Sequence, residues 1–358
     1  MIVTAKILLT EFPTLLTHVS GDLESEIAGP CPQTSPLTGH IAYTSEIKYA
    51  NHLIKSDLSA LVIAKKLTGE LKPERSQMAI LETANPYLAM ALINKQFFPV
   101  KYLMKPFQPG NRHPKAIVHP EARVHATTII EPGAVIHDGV KIGPRSFVGS
   151  NTVIEANVSI GEDCFIHPQV FIGHSTCIGD RVEIKPQSTI GSDGYGYAHD
   201  NDGNHYRLPH YGELIIEDDV HIGANVNIDR GTYEKAIIGA GTKIDNHCHF
   251  GHNIKIGKNC LITAGMITAG SVTIGNNCVF GGRTIINGGV NICDGTTVGP
   301  LSGIHNDITK PGVFMGYPPV SYQEALKIQM SLPSLPKMRR QLTKILKKLG
   351  LDETPSKS

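Results

Sequence analysis

This 358-residue sequence predicts a mainly β protein: a parallel solenoid of six-residue units, a small α/β domain before it and helices after it. Three observations predict this. An aliphatic residue recurs every sixth position, without a miss, from Val118 through Val124, Ile130, Ile136, Ile142, Val148, Ile154, Ile160, Ile166, Ile172, Ile178 and Ile184 to Ile190. A small or medium residue follows each aliphatic four positions later, as at Ala122, Thr128, Ala134, Val140, Ser146, Thr152, Val158 and Cys164. Glycine often comes directly after the aliphatic, as at Gly143, Gly149, Gly161, Gly173 and Gly179.

A period of six matches neither the 3.6 of a helix nor the two of a simple strand. It matches short flat strands joined by tight turns, one hexad per face of a triangular coil, with the aliphatic and the small residue both pointing inward. Each coil hydrogen-bonds to the next and buries its aliphatics against its neighbours, so stacking supplies the core. The glycines are expected to give the corners backbone freedom. The rhythm resumes at Ile216, Ile222 and Ile228, slips, and runs again from Ile238 to Ile304, with only Thr268 departing from an apolar type. At three hexads per coil these runs make roughly nine coils. Cys164, Cys248, Cys260 and Cys278 fall at the small-residue position and read as packing atoms.

Two breaks interrupt the repeat. The larger, residues 191–214, is polar and Gly-rich and should project as a loop, the kind of insertion that forms binding faces in solenoids. The smaller, near Thr232 to Ala236, reads as a bulge. Residues 1–110 lack the hexad; an apolar run to Ala64 and a helix after Asn85-Pro86 mark a small α/β domain. Residues 111–315 hold the solenoid and 316–358 the helical tail, which Pro333 and Pro336 break in two. In the last piece Leu335, Met338, Leu342, Ile345, Leu346 and Leu349 follow helical spacing. Lys337, Arg339, Arg340, Lys344, Lys347 and Lys348 cover the other face, either as a solvated surface or as a docking patch for an acidic carrier protein.

A net charge of +1 argues against a nucleic-acid partner. Seven cysteines, odd in number and without a C-x-x-C pair, make a poor disulfide framework and fit a reducing compartment, so a cytoplasmic location is expected. The N-terminus has no basic lead or small-residue cleavage site, and no apolar run reaches the roughly 18 residues of a membrane span.

The candidate chemistry lies in Asp245 to Ala264, where His247, His249 and His252 fall within six residues and none takes an inward aliphatic position. Three imidazoles can bind zinc with a fourth position open, as in a γ-type carbonic anhydrase on such a solenoid. One imidazole oriented by a carboxylate can instead serve as a general base. Each histidine is also an ordinary turn residue, and spacing alone leaves all three readings open.

The segments IDNHCHFGHNIKIG, NIDRGTYEKAIIG and IGSDGYGYAHD closely resemble the UDP-3-O-(3-hydroxyacyl)glucosamine N-acyltransferases of lipid A biosynthesis, over roughly residues 20–330. The hexad likewise resembles the hexapeptide-repeat transferases. That resemblance implies a left-handed parallel β-helix, a homotrimer, and acyl carrier protein as donor through its phosphopantetheine thioester, with no metal or other cofactor. It implies that His252 is the general base, that Asp245 supports it, and that the Gly270 N–H faces the oxyanion. It assigns uracil stacking in the N-terminal domain to Tyr43 and Tyr49, with Asn85 and Tyr87 near the same pocket. His247 and His249 receive no role. Two departures stand out: Glu46-Ile47 replaces an Asn-Pro common in relatives, and Gly289 stands where some relatives have a second histidine.

Overall fold

The computed structural model describes residues 2–71, 77–99, 111–317, 319–349 and 351, in two compact units, Met1–Met104 and Lys105–Ser358. In the first unit four strands, β1 (Thr17–Ser20), β2 (Ile41–Thr44), β3 (Ala60–Ala64) and β4 (Ala79–Thr83), form one sheet in the order β1-β4-β3-β2. β1 runs antiparallel to β4 and the other pairs are parallel. Every residue of β3 is buried, as a central strand covered on both faces requires. Helices α1 (Ala5–Glu11) and α3 (Pro86–Phe97) contribute Ala5, Leu8, Ala89 and Ile93 to one core cluster, while α2 (Ile47–Leu53) contributes Ala50 and Leu53 to the other. The Asn85 side chain caps α3 by accepting from Leu88 N at 3.1 Å, with Pro86 at the first helical position.

The second unit begins with the parallel β-helix that the hexad predicts, left-handed as the family resemblance implies. Mostly two-residue strands stack into three parallel sheets, and outside the two insertions and the last coil each strand pairs with the one eighteen residues on, as Phe147 with Phe165 and Val153 with Phe171. Eighteen residues are three hexads, one for each face. The expected inward aliphatics form one continuous core, most of them less than 5% exposed. Each fully buried isoleucine is worth about 2–3 kcal/mol of hydrophobic stabilisation.

The small inward residues close the corners. Thr128, Ser146, Thr152 and Thr242 donate their hydroxyls to the carbonyls of Gly143, Gly161, His167 and Gly257 at 2.8–3.0 Å, satisfying acceptors that the strands leave open. The Cys164 thiol points at Gly179 O, and burial pushes its pKa up to about 11.

The corner glycines act differently from expectation. Gly143 does not take a left-handed φ. A Cβ there would stand 2.7 Å from the Gly161 backbone of the next coil, so glycine is needed for close approach. The left-handed residue comes two positions later and is more often not glycine: Arg145, Asn151, Asn157, Asp163, Gln169, Ser175, Arg181 and Gln187 all have φ near +60°, while Gly133, Gly139, Gly241 and Gly265 take the same place elsewhere.

The breaks have definite sizes. Ile190 pairs with Ile228, thirty-eight residues on, so the larger insertion adds twenty residues to one coil. Ile228 pairs with Phe250, twenty-two residues on, so the smaller adds four. Past the last coil the chain is not helical from residue 316 as expected. Val313–Gly316 extends one face and pairs antiparallel with Pro319–Ser321. Helix α4 (Tyr322–Ser331) follows, capped by Ser321, and α5 (Leu335–Leu349) begins with Pro336 in its first turn. α4 buries Ala325, whereas α5 buries no residue. No described helix is long and apolar enough to cross a membrane.

Candidate active site

His252 sits on the corner after strand His249–Phe250, between inward Phe250 and inward Ile254, so its side chain faces out. Its neighbour Asn253 takes the left-handed position, with φ of 59°. Asn253 Oδ1 accepts from Thr232 N at 2.7 Å, which fixes the amide with Nδ2 toward the ring. His252 Nδ1 lies 3.2 Å from that Nδ2 and 3.4 Å from Thr232 Oγ1. A bare Nδ1 accepts from Asn253 Nδ2, whereas a protonated Nδ1 donates to Thr232 Oγ1 and leaves the lone pair on Nε2, the tautomer that base chemistry at Nε2 requires. Thr232 belongs to the four-residue insertion, which therefore serves to hold this ring.

The opposite edge of the imidazole faces Gly270, one coil on. A Cβ at Gly270 would lie 2.6 Å from both Cε1 and Nε2, so only glycine leaves that edge clear. Among the described residues no acceptor engages the Gly270 N–H, while its carbonyl accepts from Gly289 N at 3.1 Å. Gly289 is left-handed, with φ of 74°, and has open space where a Cβ would be.

The larger insertion projects only in part. Its tip is an exposed antiparallel hairpin, Tyr197–His199 with His205–Arg207. Its two stems fold back over His252. A Cβ at Gly194 would stand 2.6 Å from His252 Cβ and 2.8 Å from His210 Nε2. His210, 5% exposed, packs edge-on against His252 with ring centres 5.4 Å apart. Its Nδ1 bonds Leu208 O at 3.1 Å, and its buried Nε2 has no partner among the described residues.

Arg230 anchors the stems. It is the largest fully buried side chain of the described residues; Nε and Nη2 donate to Gly191 O at 2.9 and 2.8 Å, and Nη2 also donates to His174 O at 2.6 Å. Asp193 lies 3.7 Å from Arg230 and binds Arg207 of the hairpin at 2.6 Å. Beside Arg230, Asp229 is 7% exposed and accepts from Ser192 Oγ at 3.0 Å. Burial pushes the Asp229 pKa up, opposed first by the Ser192 hydrogen bond and then by the imidazoles of His249, His252 and His210. Burial lowers the His252 pKa, with His210 adding to the fall and Asp229 opposing it. Both the burial and the neighbouring His210 favour the neutral form of the His252 ring.

The structure does not bring together every residue the sequence singled out. Asp245 is exposed on the preceding corner, and its oxygens accept from Asn246 N at 2.7 Å and Ala264 N at 3.2 Å, with no bond to His252. His247 is a left-handed corner residue and His249 lies on a strand. No three His, Cys, Asp or Glu side chains among the described residues converge as a metal site. Tyr43 and Tyr49 do not face each other. Strand alternation puts Tyr43 on the α3 side of the sheet, its hydroxyl donating to Asn94 Oδ1 at 3.1 Å, whereas Tyr49 packs with α2 on the other side. Tyr43 instead shares a cleft of about 180 Å³ with Tyr87, Pro86, Thr44 and Cys31. Asn85 is occupied as the α3 cap.

Asp229, Arg230, Thr232 and His210 carried no individual assignment from sequence. The available signal was position: an Asp-Arg pair directly after an inward isoleucine, where the hexad fails, has no packing reason to be there.

The stacked hexads place the chain in the class of hexapeptide-repeat transferases. The family model for the bacterial transferase hexapeptide (six repeats) matches residues 121–156, 157–192 and 235–265, and the hexapeptide repeat of succinyl-transferase matches 271–299. The UDP-3-O-acylglucosamine N-acyltransferase of Methylococcus capsulatus is 37% identical over 93% of each chain. That of Bordetella avium is 43% identical over 84% of this chain and 83% of its own. The chain belongs to this family of acyltransferases. Among solved structures, the UDP-N-acetylglucosamine acyltransferase from Campylobacter jejuni matches with a TM-score of 0.45 and 19% identity, covering 68% of this chain and 92% of that one.

Proposed function

We propose that the chain transfers a 3-hydroxyacyl group from the phosphopantetheine thioester of acyl carrier protein to the 2-amino group of UDP-3-O-acylglucosamine. The product is the UDP-2,3-diacylglucosamine precursor of lipid A, made in the cytoplasm. The observation that carries the mechanism is the bare Nε2 edge of His252 set against Gly270 under the insertion stems. As the amine attacks the thioester carbonyl, His252 Nε2 takes its proton. The Gly270 N–H donates to the oxyanion, an interaction of about 3 kcal/mol in comparable sites. Collapse breaks the C–S bond, and the imidazolium returns its proton to the departing thiolate.

Other features support the remaining assignments. Leu261, Ile267, Val279 and Ile285 are exposed on the outer faces of the coils, as surfaces that pair in a homotrimer would be. The α5 face of Lys337, Arg340, Lys344, Lys347 and Lys348, with no acidic residue in the helix, complements an acidic carrier protein. The Tyr43–Tyr87 cleft offers stacking surface for uracil.

The test is acyl transfer from acyl carrier protein to UDP-3-O-acylglucosamine by the wild type and by His252→Ala. The variant should lose about 10²–10⁴-fold in kcat with an unchanged circular dichroism spectrum. Unchanged turnover removes His252 as base; wild-type inactivity on this pair removes the substrate assignment.

A further inference from the structure

Asp245, seven residues before His252, makes no hydrogen bond to it among the described residues. Asp245 spends its two oxygens on the backbone N–H groups of Asn246 on its own corner and Ala264 in the next coil. Asp229 stands differently. Across the ladder Asn227 pairs with His249 and Ile228 with Phe250, so Asp229 comes level with the Gly251–His252 corner. On its other side it pairs with Ser192, whose hydroxyl holds Oδ1. Because Ile228 points into the core, Asp229 points out, yet it is only 7% exposed because the insertion stems cover it.

A buried carboxylate ordinarily has a permanent cation beside it. Asp229 has none: among the described residues no lysine or arginine pairs with it, and the adjacent Arg230 turns instead to Gly191, His174 and Asp193. The charged or titratable groups around it are the imidazoles of His210, His249 and His252.

We propose that Asp229 is the positioning residue of this site: an uncompensated buried carboxylate that stabilises the His252 imidazolium when the amine's proton arrives. Ser192 and the Arg230-anchored stems keep the carboxylate dry and in place, so the larger insertion acts on the base electrostatically as well as covering it. The inference deepens the reading of His252 as general base and rests on it.

The test separates the two. Imidazole titrations followed by NMR in protein labelled with [13Cε1]histidine, with His252 assigned from His252→Ala, need no activity. In Asp229→Asn the His252 pKa should fall by about one unit, while Asp245→Asn leaves it within about 0.2 unit. Asp229→Ser is a second charge-removing variant, read in the same way if the amide is not tolerated. In assays, the acid limb of the kcat/KM profile should move to lower pH and kcat should drop by 10–100-fold with little change in KM for the sugar, which a loss of packing alone would not produce. A His252 titration that ignores Asp229→Asn and Asp229→Ser overturns the inference, as does one that responds equally to Asp245→Asn. Absence of acyl transfer in the wild type would strike the proposed reaction and leave the titration result standing.

Discussion

Gly270→Ala isolates the geometry of the base. The added methyl keeps the backbone N–H and therefore the proposed oxyanion donor. The residue is a partly exposed corner whose φ lies outside the left-handed region, so the backbone accepts alanine without strain. What it cannot accept is His252 where it now stands: the new Cβ would be 2.6 Å from Nε2 and Cε1, about 0.8 Å inside ordinary contact at 3.4 Å. The Gly194 backbone lies close on one side, near enough that a Cβ there would be 2.6 Å from His252 Cβ, so the ring has most room to pivot toward Thr232 and Asn253. That disturbs two marginal hydrogen bonds at 3.2 and 3.4 Å, worth about 1 kcal/mol together. A misplacement approaching 1 Å in a reacting group costs on the order of 10²-fold in rate, or about 2.7 kcal/mol in the barrier. In the acyl-transfer assay kcat should therefore fall about 10²-fold, with KM for the sugar within about twofold. Thermal unfolding should shift by no more than a few degrees, in line with a stability change near 1 kcal/mol. A folded Gly270→Ala enzyme working within threefold of the wild type would refute the placement of the reaction at the His252–Gly270 edge.

Other perturbations probe the supports. Arg230→Met leaves the Gly191 and His174 carbonyls without their donor and should cost about 2–4 kcal/mol in urea unfolding. Hydrogen exchange should rise first in residues 191–214; uniform protection would argue against the guanidinium as the anchor. Gly143→Ala drives a Cβ to 2.7 Å from the Gly161 backbone, which has no side chain to move aside. A loss of about 2–4 kcal/mol is expected from overpacking and ladder disruption, measured by calorimetry; a neutral result would show that the coils can separate locally.

How far the residues reveal the protein depends on which contacts place them. Val118 to Ile304 could be read as a prism because inward positions repeat locally, and any coil makes the same demand on its neighbours. The same regularity put His252 on an outer corner and marked both insertions where the rhythm fails. The corner glycines were located but misread: their neighbours lie eighteen residues away, and only the stacked structure shows that a Cβ would strike the next coil, while Arg145 or Asn151 carries the left-handed turn.

The surroundings of His252 were beyond sequence spacing for the same reason. Asp245 is seven residues distant but one corner away around the coil. Thr232, Asp229 and His210 come from one coil back, and the lengths of the two insertions decide which of their atoms reach the ring. Tyr43 and Tyr49, six apart, read as a pair until the strand and helix sent them to opposite faces of one sheet. The sequence by itself determined the periodic core, because hydrophobic burial is short-ranged and repeats identically. Only the tertiary structure decided the polar site, because its hydrogen bonds and charges join residues that the coil brings together from different turns.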